Sequence, residues 1–291
     1  MIPTRAAPRS SRARTDSAHI SPSAHYTGYV WYRLRLSEPD FVTGFGRFAH
    51  GVLSPLTWGM RELAGLDLEH ILLQRHLLLD ERLRAAIEHD GVCQVVEIAC
   101  GLSPRGRRFC RRYPRLRYLE ADLPAMAARK RRLLSRAGWQ DERHQVREMD
   151  ILAESGATSL AALFAGLNHG EPVAVITEGL VNYFPLAVVE DFWSRLAGCL
   201  AGFTQGIYLT ELYPDLRSHP RYRQLRWGVD LVGRLTRGGY WLHYRDEAEI
   251  VAGFRDCGFV RVAVHDPDRA GVQLPRLKIP SLLRVIEARV C

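Results

Sequence analysis

A short apolar run ending in small residues constrains this chain most. Val92 to Cys100 (V-C-Q-V-V-E-I-A-C) is rich in β-branched residues and too short for a buried helix, so it predicts a buried parallel strand. Ala99, Cys100 and Gly101 then leave room for a ligand to approach the backbone, and Ser103-Pro104 suits a helix start. A second short strand, Leu116 to Ala121, is bracketed at its end by the acids Glu120 and Asp122. They fall near the roughly 20-residue offset at which a strand–helix–strand unit sets a carboxylate against a ribose.

The unit therefore predicts a nucleoside-cofactor site. Only Gly101 and Gly106 stand where a dinucleotide turn needs three glycines, and no Gly-Lys-Ser/Thr phosphate loop occurs in the chain. Acids on both sides of a small-residue turn, without a phosphate cradle, suit S-adenosylmethionine (SAM), which presents an ammonium, a sulfonium and a ribose diol. A degenerate NAD site and a non-binding α/β domain are the alternatives that spacing leaves open.

The runs Q-V-V-E-I-A-C-G-L-S-P-R-G and Y-L-E-A-D-L-P-A-M-A-A-R-K resemble the SAM site of the leucine carboxyl methyltransferase-like family. Q-R-H-L-L-L-D-E-R-L-R-A-A-I (Gln74–Ile87) and I-T-E-G-L-V-N-Y-F (Ile176–Phe184) extend the likeness in the right order. It covers roughly Ser21 to Tyr213, and the branch of bacterial polyketide O-methyltransferases is the one suggested. Ser103-Pro104-Arg105 replaces the family's Asp-Thr-Arg run. The resemblance implies SAM as cofactor and an α/β, class I methyltransferase (Rossmann-like) fold. It implies Arg75, Glu97, Ala99, Gly101, Ser103, Glu120, Asp122, Asp150, Glu178 and Gly179 as the cofactor-binding set. Asp122 is preferred to Glu120 for the ribose, and Asp150 is placed to accept from the adenine amino group. Arg75 is matched to an arginine that reaches the cofactor carboxylate.

Along the chain, residues 1 to 20 are rich in Arg, Ser and Pro and predict a disordered basic leader. They contain no apolar core of a secretory signal. Residues 21–90 predict a helical lid, with an aromatic first helix interrupted or eased by Gly28, short helical pieces over Phe41–Gly65, and a long helix over Leu68–His89. Seven strands follow, with helices on both faces of the sheet between the first five, an insertion over 213–244, and a hairpin-like closing pair. The whole of 21–291 reads as one SAM-dependent methyltransferase domain.

Composition sets outer bounds. No apolar run approaches the roughly 20 residues that span a membrane. Six cysteines without a C-x-x-C pair predict reduced thiols in a cytoplasmic protein and no metal site. The net charge of +8 is carried almost wholly by arginine, which serves either an anionic small substrate or nucleic acid. The basic helix after Asp122 reads as a solvated face.

The function expected is O-methyl transfer to a carboxylate or a hydroxyl or enol oxygen of a small-molecule acceptor. Tyr183, Arg33 and Tyr29 are the catalytic candidates. The strand-end acids Glu178, Glu211 and Asp150, the tyrosines Tyr183 and Tyr213 and the covering arginines Arg33, Arg75 and Arg217 suit orientation of an anionic oxygen. His25 and His243 are the candidate bases if the acceptor is a phenol. The rivals are an RNA-modifying methyltransferase and a non-catalytic SAM- or NAD-binding module. Oligomeric state is not legible.

Overall fold

A computed structural model describes residues 22–139, 141–214 and 240–291. The predicted leader and most of the predicted insertion, including Arg217, lie outside the described residues. Seven strands form one sheet: β1 Gln94–Ile98, β2 Arg117–Asp122, β3 His144–Glu148, β4 Val173–Thr177, β5 Gly206–Leu212, β6 Arg261–His265 and β7 Arg284–Arg289. Their order is β3-β2-β1-β4-β5-β7-β6. The first five are parallel, and β7 pairs antiparallel with both β5 and β6. This is the class I methyltransferase sheet expected from the sequence. Its order reverses between β1 and β4, and open α/β sheets bind ligands at the carboxyl ends of strands beside such a reversal.

Strand periodicity divides the core. Val96, Ile98, Val173, Val175 and Tyr208 face one side, with α6 (Leu160–Phe164), α7 (Leu186–Leu200) and α8 (Glu247–Asp256). Val95, Ala174, Ile176, Ile207 and Leu209 face the other, against α3 (Leu68–His89) and α4 (Arg105–Arg112). Leu78, Leu79 and Leu83 of α3 are almost fully buried there, each contributing about 1.5–3 kcal/mol. The C-terminal end of α3 runs into β1 through Asp90-Gly91, so its N-terminal half lies toward the strands' carboxyl ends. That half carries Arg75 and His76, and Asp80 follows just past the midpoint, all three buried.

Two helical expectations are revised. Phe41–Gly65 is not a set of short pieces: a short turn at Pro39–Phe41 precedes one 16-residue helix, α2 (Gly44–Gly59), which widens into a π-turn at Met60–Ala64. The glycines that obscured its period have a packing use. A Cβ on Gly46 would stand 2.3 Å from the His25 carbonyl oxygen, so α2 could not approach α1 (Pro22–Arg33) with any larger residue. Likewise α1 runs unbroken through Gly28, where a Cβ would stand 3.0 Å from that of Leu102. Gly28 permits contact with the turn after β1; it does not interrupt the helix.

Candidate functional site

The turn after β1 is built from left-handed backbone: Ala99 has φ 53° and Gly101 φ 50°. The Gly101 N–H donates to Asp122 Oδ2 (2.7 Å), and the Leu123 N–H donates to Asp122 Oδ1 (2.8 Å). Burial raises the Asp122 carboxyl above its ordinary value. Each of its oxygens keeps a second acceptor position, which a ribose diol can use. The arrangement fits SAM: a backbone turn without a side chain at Gly101, an acid opposite it, and no phosphate cradle.

Glu120 is placed differently. It is fully buried, with Lys130 Nζ 2.8 Å from its Oε1 and His144 Nε2 3.3 Å away. Burial pushes its carboxyl up, but Lys130 and His144 outweigh this and leave it below the ordinary value. Lys130 also donates to the Ser103 carbonyl (2.9 Å), bracing the turn after β1 from beneath. The basic helix α5 (Pro124–Arg136) is therefore not a simple solvated face, because its one lysine is wholly inside. Asp122→Ala should weaken SAM binding with little loss of fold. Glu120→Ala, which strands a buried cation, should cost about 3–5 kcal/mol of stability. Calorimetric titration with SAM and thermal melts of both variants would separate the two roles; a larger SAM loss in Glu120→Ala would reverse them.

Beyond the turn lies a buried ionic network centred on Arg105, the first residue of α4. Its guanidinium, fully buried, donates to Asp80 (2.6 Å), Glu97 (2.5 Å) and Glu178 (2.5 Å). Glu97 also accepts from the Tyr118 hydroxyl (2.8 Å), so both its oxygens are occupied within the protein. Asp80 takes a further bond from Arg108, and His76 sits 2.9 Å from Glu178 and 3.0 Å from Arg108. Burial opposes ionisation of Glu178, yet His76, Arg105 and Arg75 hold its carboxyl well below the usual range. Ser103 accepts the Arg105 N–H at 3.2 Å, which starts α4.

Arg75 links this network to the next strand. Its Nε donates to Glu178 (3.0 Å), and one terminal nitrogen stands 3.6 Å from Glu211 near the end of β5. Gly179 has φ 67°, and a Cβ there would lie 3.3 Å from that guanidinium; its N–H donates to Glu211 Oε1 (2.6 Å). Tyr183 closes a short turn, Val181–Tyr183, and meets Tyr240 edge-on at 5.6 Å, while Tyr213 meets Tyr240 at 6.1 Å.

The structure thus gathers Arg75, Glu97, Glu178 and Gly179 around one centre and Ala99, Gly101, Ser103 and Asp122 around the turn. Asp150 follows β3 by two residues, and its carboxylate accepts from the Leu152 N–H (2.9 Å). Arg33 and Tyr29 are not brought to this pocket. Arg33 pairs with Glu69 and His50 on a partly exposed surface, and the Tyr29 ring stands 5.1 Å from that of His50. Residues 24, 28 and 31 of α1 face the turn after β1 and His76, with Trp31 4.5 Å from the His76 ring. Tyr29 lies one residue on from Gly28, about 100° round the helix, and Arg33 follows it at i+4, so both meet α2 and α3. The candidate bases are also engaged: His25 bonds Thr43 (2.9 Å), and His243 bonds the Val181 carbonyl (3.1 Å). Sequence reading missed Arg105, Lys130, His76 and Asp80. Glu97 on a buried face was the available signal for Arg105, since an interior carboxylate needs a cation.

Because α1 begins at Pro22 and seats Gly28 on Leu102, removing residues 1–18 should leave SAM affinity unchanged. Removing residues 1–33 should abolish the SAM-induced rise in melting temperature, since it uncovers the turn and the buried faces of Leu72 and Leu102. An unchanged rise in the longer truncation would place α1 outside the cofactor site.

A parallel-then-antiparallel seven-stranded sheet with this turn and strand-end acids defines a SAM-dependent methyltransferase. The leucine carboxyl methyltransferase family model matches residues 59–197, which bear out the resemblance read from the sequence. That stretch holds all of the network just described except Glu211. No curated protein sequence matches the chain. Among solved structures, the fold is shared with a protein from Thermobifida fusca assigned as a methyltransferase, at 17% identity and TM-score 0.62, covering 94% of this chain and 96% of that one. A DUF574 family protein from Streptomyces avermitilis is similar at 14% identity and TM-score 0.61, covering 96% and 99%. An O-methyltransferase family protein from Burkholderia thailandensis follows at 18% identity and TM-score 0.50, covering 94% and 73%. Among the described residues no helix is long and apolar enough to cross a membrane.

Proposed function

We propose that the chain methylates an oxygen, carboxylate or hydroxyl/enol, of a small-molecule acceptor held over the carboxyl ends of β4 and β5. One observation carries the reading: Arg75 is fixed between the strand-end acids Glu178 and Glu211, beside Tyr213 and Tyr240, with Tyr183 edge-on against Tyr240. That combination offers hydrogen bonds to an acceptor oxygen and aromatic faces to the body of a small molecule. SAM supplies an electrophilic methyl group when bound. In this reading Asp122 and the Gly101 turn hold its ribose and Asp150 its adenine. Glu178, Gly179 and Arg75 hold its methionine end, over a floor of Ala99 and Ser103. Glu97 and Glu120 act from beneath, one fixing Arg105 and the other Lys130. Tyr183 belongs to the acceptor wall. Alignment of acceptor and methyl then supplies most of the rate enhancement. The free cysteines are in keeping with a reducing, cytoplasmic setting.

The test supplies methyl-labelled SAM with a panel of phenols, enols and aromatic carboxylic acids, and separately with an RNA transcript. Mild alkali releases methanol from methyl esters and leaves methyl ethers intact, so the volatile label sorts the two oxygen classes. Label in either small-molecule class supports the proposal. Label in the RNA alone overturns it.

A further inference from the structure

Two carboxylates at the carboxyl edge share one arginine, and they are not equivalent. Glu178 receives Arg75, Arg105 and His76, so both its oxygens are bonded. Glu211 receives the Gly179 N–H on Oε1, and Arg75 stays 3.6 Å from that same oxygen. Glu211 is 1% exposed, and its Oε2 has no hydrogen-bond partner among the described residues. An unsatisfied carboxylate oxygen in an interior is costly unless it meets a proton or a donor. β5 lies one strand beyond the β1/β4 reversal, next to the tyrosine cluster, on the acceptor side of the cofactor turn.

Resting on the oxygen-acceptor reading above, we propose that Glu211 is the catalytic base, its Oε2 taking the proton of an acceptor phenol or enol. As the acceptor oxygen bonds to the methyl carbon, the carbon–sulfur bond breaks and its electron pair stays on sulfur as a neutral thioether. The hydroxyl proton passes to Glu211, which releases it to solvent as product leaves. The groups facing Glu211 are Arg75 from α3, Glu178 and the Gly179 N–H from the end of β4, Tyr213 just past its own strand, and Tyr240. Burial raises its carboxyl, Arg75 only partly offsets this, and Glu178 adds to it, leaving it pushed up to about 7. Two neighbouring acids driven apart in this way divide the work: one stays ionised and holds, the other exchanges a proton near neutral pH. The histidines assigned to this task from the sequence are bonded elsewhere.

The experiment labels the glutamate side-chain carboxyl carbons with carbon-13 and titrates the wild-type chain and Glu211→Gln by NMR, with S-adenosylhomocysteine present. One resonance should titrate near neutrality and vanish in the variant. Titration of Glu211 in the ordinary carboxylate range overturns the proposal. Phenol and benzoate serve as probes in the same sample. Phenol should move the Glu211 resonance and benzoate should not; a response to benzoate alone, or to neither, overturns the acceptor contact. Melting temperatures supply a second measurement. A carboxyl whose proton is held more tightly in the folded state costs stability as pH rises through its folded value. Glu211→Gln should therefore gain on the wild type between about pH 5 and about pH 8, whereas a structural partner of Arg75 would lose there. Methyl label confined to RNA would remove the acceptor reading and leave the titration standing. Ordinary titration would remove Glu211 and leave small-molecule transfer standing.

Discussion

Arg105→Met should lower the melting temperature by on the order of 10 °C. Arg105 is fully buried and serves Asp80, Glu97 and Glu178 at once. Removing one member of a buried ionic cluster costs about 3–5 kcal/mol, because the remaining charges lose their counterion without regaining water. Each kcal/mol is worth about 2–4 °C in a domain of this size. The deficit should also depend on pH. Asp80 and Glu178 are held below their ordinary values despite burial, by His76 with Arg105 and by the neighbouring arginines. Their stabilisation is present above the unfolded carboxylate range and is lost as pH falls through the lower folded values. The gap between wild type and variant should thus narrow in acid. Calorimetric melts across pH would check both statements, and a variant melting with the wild type at neutral pH would show that the network contributes nothing. Arg105→Lys should recover only part of the loss, since an ammonium cannot present the guanidinium's fork to three carboxylates.

Gly101→Arg should abolish SAM binding while the fold survives. The backbone there has φ 50°, and a non-glycine residue in that region costs about 1–2 kcal/mol. A Cβ would find the Ala24 Cβ at 3.4 Å, so a methyl is tolerated, but a longer side chain must leave across the turn. SAM at a hundredfold excess over its Kd should stabilise the wild type by about 2.7 kcal/mol, and Gly101→Arg should show none of this. Gly101→Ala should keep part of it, separating backbone strain from occupation of the turn. NAD should stabilise neither protein. A SAM shift surviving in Gly101→Arg would move the cofactor away from the β1 turn.

Much of this was legible because strand periodicity is local. β1 at Gln94–Ile98 and β2 at Arg117–Asp122 differ from the expected Val92–Cys100 and Leu116–Ala121 only at their ends. Alternation also sets Glu97, Glu120, Asp122, Glu178 and Glu211 on one face, the face shared with Val95, Tyr118, Ile176 and Leu209. The helices were less legible where glycine served packing rather than turning, as at Gly28 and Gly46. There the missing side chain reflects a close approach between segments distant in sequence, which no local period records.

By itself, then, the sequence determined the parallel sheet, the small-residue turn at its centre and the row of acids along one edge, since each follows from residue type at a short repeat. Only the tertiary structure decided how those acids divide. Arg75 reaches Glu178 across 103 residues, and Arg105 reaches it across 73. Lys130 turns inward to Glu120, and Arg33 turns away to Glu69. Chains of near-identical arginines differ here only in burial and distance, and Coulomb energy in a low-dielectric interior depends steeply on both. Among the described residues, Glu211 keeps one oxygen without a partner because Glu178 has drawn the arginines to itself.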